Sequence, residues 1–165
     1  MIRLIVLDVD GTLTEGGITY DAQGVETKTF NVKDGFAIVS WINLGMKAAI
    51  ITGRTSPIVA KRAGELGITH LYQGVKDKAA CLQSILDTEG LTWDNVAAIG
   101  DDLNDYGMLR DAGRSFAPAD ASLLIEEVVD IRLGRAGGRG AVAEMIELLV
   151  KEQNLLEAYL APWKK

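Results

Sequence analysis

Two aspartates directly follow an apolar run near the start of the chain. The run from Leu4 to Leu7 has the composition of a buried strand, and Asp8 and Asp10 come next, ahead of Gly11. Because alternate side chains of a strand share a face, the two carboxylates should point the same way, roughly 6–7 Å apart. Carboxylates at that separation attract a cation or a proton, although aspartate and glycine are also common in ordinary turns.

Polar groups also stand where three later predicted strands end. Thr52 and Arg54 follow the second core strand, Lys78 begins the helix after the third, and Asp101 follows the fourth. Taken singly, Thr52 could be a helix cap, Lys78 a surface lysine and Asp101 a turn residue. Because ligands of an open parallel sheet bind at the carboxyl ends of its strands, we expect these groups to converge on one site.

The chemistry that this inventory suits is phosphoryl transfer, in which enzymes mainly position the group and stabilise charge on its oxygens. Asp8 and Asp101 offer hard oxygen ligands, which favour Mg²⁺ over zinc. His70 is the single histidine of the chain, and we interpret it as structural. Histidine-based phosphatase chemistry is therefore disfavoured.

The elements that must position these groups alternate along the chain. Apolar periodicity predicts six helices, which begin at Asp34, at Ser56 and at about Ala141 or span 77–89, 105–112 and 123–128. It also predicts further core strands over 48–52, 69–72, 96–100, 115–117 and 129–131. This order predicts one α/β domain over residues 1–165, a three-layer Rossmann-like parallel sheet. A β-hairpin should protrude at about 17–30, and a tail at about 155–165 should extend the last helix.

Composition limits the partners and the compartment. The 17 basic and 23 acidic residues give a net charge of −6, which argues against a nucleic-acid partner. The single cysteine, Cys81, excludes an intrachain disulfide and is expected to be buried and inert. No apolar run reaches membrane-spanning length and the start does not resemble a signal peptide, so we expect no membrane partner and a cytoplasmic protein.

Motif by motif, the chain resembles the phosphohydrolases of the haloacid dehalogenase superfamily. The matching segments are 8–12 (DVDGT), 51–54 (ITGR), Lys78 and 100–105 (GDDLND). The resemblance implies that Asp8 attacks phosphorus to form an aspartyl-phosphate, and that Asp10 protonates the leaving oxygen and then activates water. It further implies that Thr52 and Lys78 bind the phosphoryl oxygens. Mg²⁺ would be held by Asp8, the backbone carbonyl of Asp10 and Asp101.

Two further points follow from motif spacing. Lys76 competes with Lys78 for the lysine role, and the resemblance favours Lys78. Large members of the superfamily insert a cap domain between motifs, but the intervals from Asp10 to Thr52 and from Thr52 to Lys78 have no room for one. Because an open site would expose the aspartyl-phosphate to water, we expect the hairpin and another subunit to close it.

A narrower resemblance rests on the hairpin and on segments 30–35, 52–54 and 136–142. These are similar to the tetrameric, capless phosphatases of 3-deoxy-D-manno-octulosonate 8-phosphate, a bacterial lipopolysaccharide precursor. The resemblance implies a homotetramer and a small-molecule sugar-acid phosphate as substrate. Lys33, Arg54 and Arg139 are cations suited to the carboxylate or phosphate of that substrate. The chain departs from the family at Ala143, where an arginine is common.

The sequence leaves two alternative functions open. One is a phosphatase of a nine-carbon, sialic-acid-type 9-phosphate; that related group tends to carry an acidic residue where Arg54 stands, so Arg54 favours the eight-carbon substrate. The other is a non-catalytic oligomerisation module, of the kind found fused to sugar-nucleotide synthetases. Such a module could lose its nucleophile, whereas this chain keeps Asp8 together with its predicted partners.

Overall fold

The computed structural model describes residues 1–164, in which strands and helices alternate as the sequence predicts. In chain order they are β1 (Leu4–Leu7), β2 (Thr19–Tyr20), β3 (Glu26–Thr27), α1 (Val32–Asn43), β4 (Lys47–Ile51), α2 (Pro57–Glu65), β5 (His70–Tyr72), α3 (Lys78–Glu89), β6 (Val96–Ile99), α4 (Tyr106–Asp111), β7 (Arg114–Ala117), β8 (Ile131–Arg132), α5 (Ala141–Glu152) and α6 (Leu156–Leu160). No helix among the described residues is long and apolar enough to cross a membrane.

The main sheet has six strands in the order β5-β4-β1-β6-β7-β8, and every neighbouring pair is parallel. Strand β1 is central, with Leu4 in register with Lys47 of β4 on one side and Val96 of β6 on the other. The chain therefore leaves β1 in opposite directions along the sheet. This arrangement is the switch point at which doubly wound sheets bind ligands.

Alternation along β1 builds the two apolar layers of the core. Ile5 and Leu7 belong to a buried cluster with residues of α1 and α5, whereas Leu4 and Val6 belong to a second cluster with residues of α3 and α4. A strand that is buried on both faces has a continuously apolar sequence, as β1 does. The predicted three-layer parallel α/β fold is confirmed.

Local capping explains where several helices begin. Helix α1 starts two residues before the predicted Asp34, because the side chain of Asn31 accepts a hydrogen bond from the Lys33 amide and caps the helix. Ser56 caps α2 and Pro57 occupies its first turn, as predicted. Asp77 caps α3, so that Lys78 becomes the first residue of that helix.

The hairpin is shorter than its sequence pattern predicts. Strands β2 and β3 pair antiparallel over two residues each, around a turn in which Asp21 accepts hydrogen bonds from the amides of Gln23 and Val25. No third strand of the described chain pairs with the hairpin, so no neighbour extends the ladder. Ile18, Tyr20 and Val25 are 57–58% exposed, which leaves an unpartnered apolar surface on the hairpin.

Four further expectations need correction. The segment Leu123–Val128 forms 3₁₀ turns rather than an α-helix, and the last strand lies at 131–132 rather than 129–131. The tail does not extend α5, because Asn154 adopts a left-handed conformation (φ 59°) and the chain turns into the separate helix α6. Cys81 is only partly buried on α3.

A buried carboxylate ties the last long helix to the first. Helix α5 begins after Gly140, which has no side chain to cap it. Asp34 of α1 is 1% exposed and accepts a hydrogen bond of 2.9 Å from the Ala143 amide, so it serves as the missing cap. Burial raises the pKa of Asp34, and the backbone amides at the start of α5 oppose that rise.

Replacing Asp34 with alanine should destabilise the protein, because the amides at the start of α5 would lose their acceptor. We expect urea unfolding to give a free energy of unfolding lower by about 1–3 kcal/mol. The matched control is Asp87→Ala on the exposed face of α3. Equal free energies for the two variants would contradict the capping role.

Candidate active site

The first strand and the third long helix meet at a buried ion pair. Asp8 follows β1 directly and is 3% exposed, and Lys78 begins α3 and is 2% exposed. The Lys78 Nζ lies 2.5 Å from Asp8 Oδ1 and 2.5 Å from Asp105 Oδ1. Burial alone would lower the pKa of Lys78, but the two carboxylates outweigh burial and raise it. Lys78 is therefore held as an ammonium beside Asp8.

Asp105 is a central residue of the site that is absent from the residues predicted from the sequence. Its side chain is fully buried; Oδ1 accepts from Lys78, while Oδ2 accepts from the amides of Asp101 (2.9 Å) and Asp102 (3.3 Å). The spacing from Asp102 to Asp105 is that of a capping box, and this spacing was the one sequence feature that could have indicated Asp105. Asp105 thus fixes the loop that follows β6 and orients Lys78.

Asp8, Asp101 and Asp105 together form a possible metal site. Each offers a carboxylate oxygen, and these oxygens lie within 4.8 Å of one another. Burial and the neighbouring Asp105 raise the pKa of Asp8 to about 8, against the influence of Lys78. Burial and Asp105 likewise raise the pKa of Asp101 to about 6. Three ionised carboxylates beside one ammonium leave two negative charges, which a divalent cation would offset.

Glycines allow the loops of the site to approach one another closely. A Cβ on Gly11 (φ 96°) would lie 2.0 Å from Asp101 Oδ2, and a Cβ on Gly137 would lie 1.8 Å from the Gly11 carbonyl oxygen. The Gly138 amide also donates to the Thr12 carbonyl at 2.9 Å. The glycine-rich segment 136–140 therefore packs behind the first motif and supports it.

An open cavity of about 420 Å³ lies at the carboxyl ends of β1, β4 and β6. Its lining residues are Asp8, Asp10, Thr52, Gly53, Arg54, Asp101, Asp102, Leu103 and Asn104. Five of the predicted site residues thus share one cavity, and Lys78 is buried against Asp8. Asp10 is set apart from the three-carboxylate cluster, and a role for its backbone carbonyl in metal binding stays a prediction.

The hairpin reaches the cavity through a chain of ionic contacts. Lys28 Nζ lies 2.5 Å from Asp10 Oδ1 and 2.8 Å from Glu26 Oε1, and Arg54 Nη2 lies 2.8 Å from Glu26 Oε2. Burial would lower the pKa of Lys28, but hydrogen bonds to Asp10 and Glu26 outweigh it and raise that pKa. The hydrogen bond from Lys28 lowers the pKa of Glu26. No local sequence pattern indicates Lys28, since only the fold of the hairpin brings it to Asp10.

Two predicted substrate residues lie outside this cavity. Lys33 is exposed and borders a separate cavity of about 430 Å³, which Ala143 also lines. Arg139 is exposed and pairs with Glu15 at 2.9 Å. Within the described chain neither cation reaches Asp8. Lys76, the competitor of Lys78, is exposed as well.

Comparison with known protein families and sequences gives one consistent result. Residues 66–146 match the family model of haloacid dehalogenase-like hydrolases. The chain is 43% identical over 156 residues to 3-deoxy-D-manno-octulosonate 8-phosphate phosphatase KdsC of Escherichia coli K12, covering 94% of this chain and 83% of that protein. The KdsC protein of Yersinia pestis is also 43% identical, again covering 94% of this chain and 83% of that protein.

Solved structures of similar proteins have the same fold. The 3-deoxy-D-manno-octulosonate 8-phosphate phosphatase of Moraxella catarrhalis, in complex with magnesium, phosphate and KDO, matches with a TM-score of 0.95 at 40% identity, covering 98% of this chain and 93% of that one. The cobalt-bound phosphatase of Haemophilus influenzae matches with a TM-score of 0.88 at 36% identity, covering 93% and 90%.

The raised carboxylate pKa values predict how cation binding depends on pH. Below the pKa of about 6 for Asp101, protons compete for the ligands, and above the pKa of about 8 for Asp8 they no longer do. The thermal midpoint of the metal-free protein should fall as pH rises through this window, because the folded state binds more protons than the unfolded one. The increase in midpoint on adding Mg²⁺ should grow over the same window.

Thermal unfolding with and without Mg²⁺ at several pH values checks this expectation. Asp101→Asn should shrink the Mg²⁺-induced shift, whereas the exposed control Asp87→Asn should keep it. If the Mg²⁺-induced change in thermal midpoint is independent of pH, or is unchanged in Asp101→Asn, these carboxylates do not bind the cation.

Proposed function

The chain belongs to the family of 3-deoxy-D-manno-octulosonate 8-phosphate phosphatases within the haloacid dehalogenase-like hydrolases, and on this basis we propose that it hydrolyses that sugar-acid phosphate to the free sugar acid and phosphate. The observation that carries the proposal is that Asp8, Thr52 and Asp101 line one cavity, with Lys78 buried directly against Asp8. This set provides a nucleophile, donors for phosphoryl oxygens and a cation ligand, which are the parts that phosphoryl transfer needs.

In the first step a carboxylate oxygen of Asp8 attacks phosphorus. A new oxygen–phosphorus bond forms, and the bond between phosphorus and the sugar oxygen breaks with its electron pair on that oxygen. Asp10, which borders the cavity two residues away, delivers a proton to the leaving sugar oxygen. The Lys78 ammonium and the Thr52 hydroxyl offset charge on the phosphoryl oxygens.

In the second step water attacks the phosphorus of the aspartyl-phosphate. Asp10, now a carboxylate, takes a proton from that water, and the bond between phosphorus and the Asp8 oxygen breaks. Phosphate leaves, and the Asp8 carboxylate is restored. One residue thus serves as acid and then as base, which requires its carboxylate to stay at the mouth of the cavity through both steps.

The residues present fit a divalent cation. Their donors are oxygens only, and two of the three carboxylates have raised pKa values that a cation would reverse. Mg²⁺ is the cation of the proposal, held by Asp8, Asp101 and Asp105, with the carbonyl of Asp10 as the further predicted ligand. When bound, it would supply positive charge that keeps the carboxylates ionised and offsets charge on the phosphoryl group.

Arg54 is the residue proposed to select a sugar acid. It borders the cavity, its side chain is 37% exposed and its Nη1 has no hydrogen-bond partner in the described chain, so it can contact a substrate carboxylate while its Nη2 stays on Glu26. The nine-carbon alternative is not favoured, because the named relatives act on the eight-carbon compound. The non-catalytic alternative is not favoured either, because Asp8, Asp10 and Lys78 are all in place.

The assembly is part of the proposal. Residues 1–165 act as one domain, four chains form a homotetramer in the cytoplasm, and the exposed apolar side of the hairpin supports contact between chains. Because Lys33 and Arg139 are exposed and lie outside the cavity of their own chain, their role as substrate contacts would require them to serve a neighbouring subunit.

A phosphate-release screen across sugar phosphates in Mg²⁺ tests the substrate. We expect selective release from 3-deoxy-D-manno-octulosonate 8-phosphate, and a loss of about 10- to 150-fold in kcat/KM for that compound in Arg54→Gln, since a charge-assisted contact is removed. The same variant should use p-nitrophenyl phosphate nearly normally, because that compound has no carboxylate. Equal losses on both would place Arg54 outside carboxylate recognition, and a flat profile would contradict the substrate.

Light scattering tests the assembly. The wild-type mass should be about four times that of the 17.7 kDa chain. Replacing both Ile18 and Tyr20 with glutamate should lower that mass, because charge would enter an apolar contact. The matched control is Leu123→Glu, since Leu123 is 74% exposed and lies outside the hairpin. A wild-type monomer with full activity would rule out closure by neighbouring chains.

A further inference from the structure

The ammonium of Lys28 is buried although the residue belongs to a protruding hairpin. Its side chain is 2% exposed, although the residue as a whole is half-buried and Ile18, Tyr20 and Val25 of the same hairpin are exposed. Ordering a lysine side chain and removing its charge from water both cost free energy. Such a residue is stable there only because carboxylates surround it, and it has two within 2.8 Å.

Lys28 and Glu26 together join the hairpin to two of the three loops that line the cavity, those after β1 and β4. The Lys28 Nζ donates a hydrogen bond to Asp10 Oδ1 on the loop after β1, and it forms an ion pair with Glu26 Oε1 on β3. The second oxygen of Glu26 then holds Arg54, which lies after β4. With only two paired residues in each strand, the hairpin has little stability of its own. These ionic contacts, in which the Lys28 side chain is the buried member, therefore help to attach the base of the hairpin to the site.

The Asp10 side chain takes part in this attachment. Asp10 is followed by a tight turn in which the amides of Thr12 and Thr14 both donate to the Val9 carbonyl, and these bonds hold the backbone. They do not fix the Asp10 side chain, whose Oδ1 contacts the Lys28 ammonium from outside the turn. The same carboxylate borders the cavity where the leaving oxygen and the water must be reached.

We propose that Lys28 is a positioning residue, which fixes the Asp10 carboxylate for proton transfer and makes that transfer depend on the docking of the hairpin. The inference rests on the proposed function, because it deepens the role given there to Asp10. Lys28 does not contact Asp8, so formation of the aspartyl-phosphate from a compound with a good leaving group does not require it. Hydrolysis of that intermediate does, because Asp10 must then direct a water molecule.

Single-turnover kinetics with p-nitrophenyl phosphate separate the two steps. In Lys28→Met the burst of p-nitrophenolate should stay near the wild-type rate, which also shows that the variant folds. Hydrolysis of the aspartyl-phosphate should slow by about 100-fold, the scale of loss for a misplaced catalytic group. Lys28→Arg should recover part of the rate because it restores a cation. The control, Lys61→Met on the exposed face of α2, should leave both steps unchanged.

A double-mutant cycle shows whether Lys28 acts through Asp10. In an Asp10→Asn background, adding Lys28→Met should change the hydrolysis rate of the aspartyl-phosphate by less than about twofold, because the group that Lys28 positions is already gone. Additive losses would assign Lys28 a separate structural role and overturn the proposal. Wild-type hydrolysis in Lys28→Met would also overturn it.

These results are independent of the natural substrate. A wild-type protein that hydrolyses p-nitrophenyl phosphate but not 3-deoxy-D-manno-octulosonate 8-phosphate would contradict the proposed substrate and leave the Lys28 cycle fully interpretable. Conversely, selective wild-type activity on the sugar-acid phosphate combined with additive losses in the cycle would overturn the role of Lys28 alone.

Discussion

The crowding of carboxylates around one buried ammonium is the constraint on which the rest of the site depends. Asp8 and Asp105 share Lys78, and Asp101 lies within the same cluster. Like charges at this separation raise one another's pKa and oppose folding unless a cation balances them. The carboxylates are nevertheless close together, because β1, β6 and the start of α3 meet at the switch point of the sheet.

Backbone features around the cluster follow from the same crowding. Gly11 and Gly100 leave room for Asp101 and Asp105, and a Cβ at Gly100 would lie 2.3 Å from the Asp105 carboxyl carbon. Gly137 then lets the segment before α5 pack against the loop that carries Asp10. Residues far apart in the chain thus surround Asp8, and the hairpin contacts Asp10 through Lys28, which also pairs with Glu26.

The sequence predicts the strand ends well because their side chains follow continuous apolar runs, and the order of strands and helices brings those ends together. It does not predict Lys28 or Asp105, because their roles depend on contacts across 18 and 27 residues that no local pattern encodes. Lys33 and Arg139 resemble substrate residues by motif, yet they lie outside the cavity of their own chain, since only placement in the fold decides what a surface cation can reach. Helix limits shift for local reasons, as Asn31 shows at α1.

Identification of the residue that carries the phosphoryl group tests the central claim most directly. Asp10→Asn, mixed with p-nitrophenyl phosphate in Mg²⁺ and quenched in acid, should retain the aspartyl-phosphate because water is not activated. Peptide mass spectrometry should then find one phosphoryl group on Asp8, and none in the Asp8→Asn variant. A phosphoryl group on another residue, or burst release of p-nitrophenolate with no covalent adduct, would contradict nucleophilic attack by Asp8.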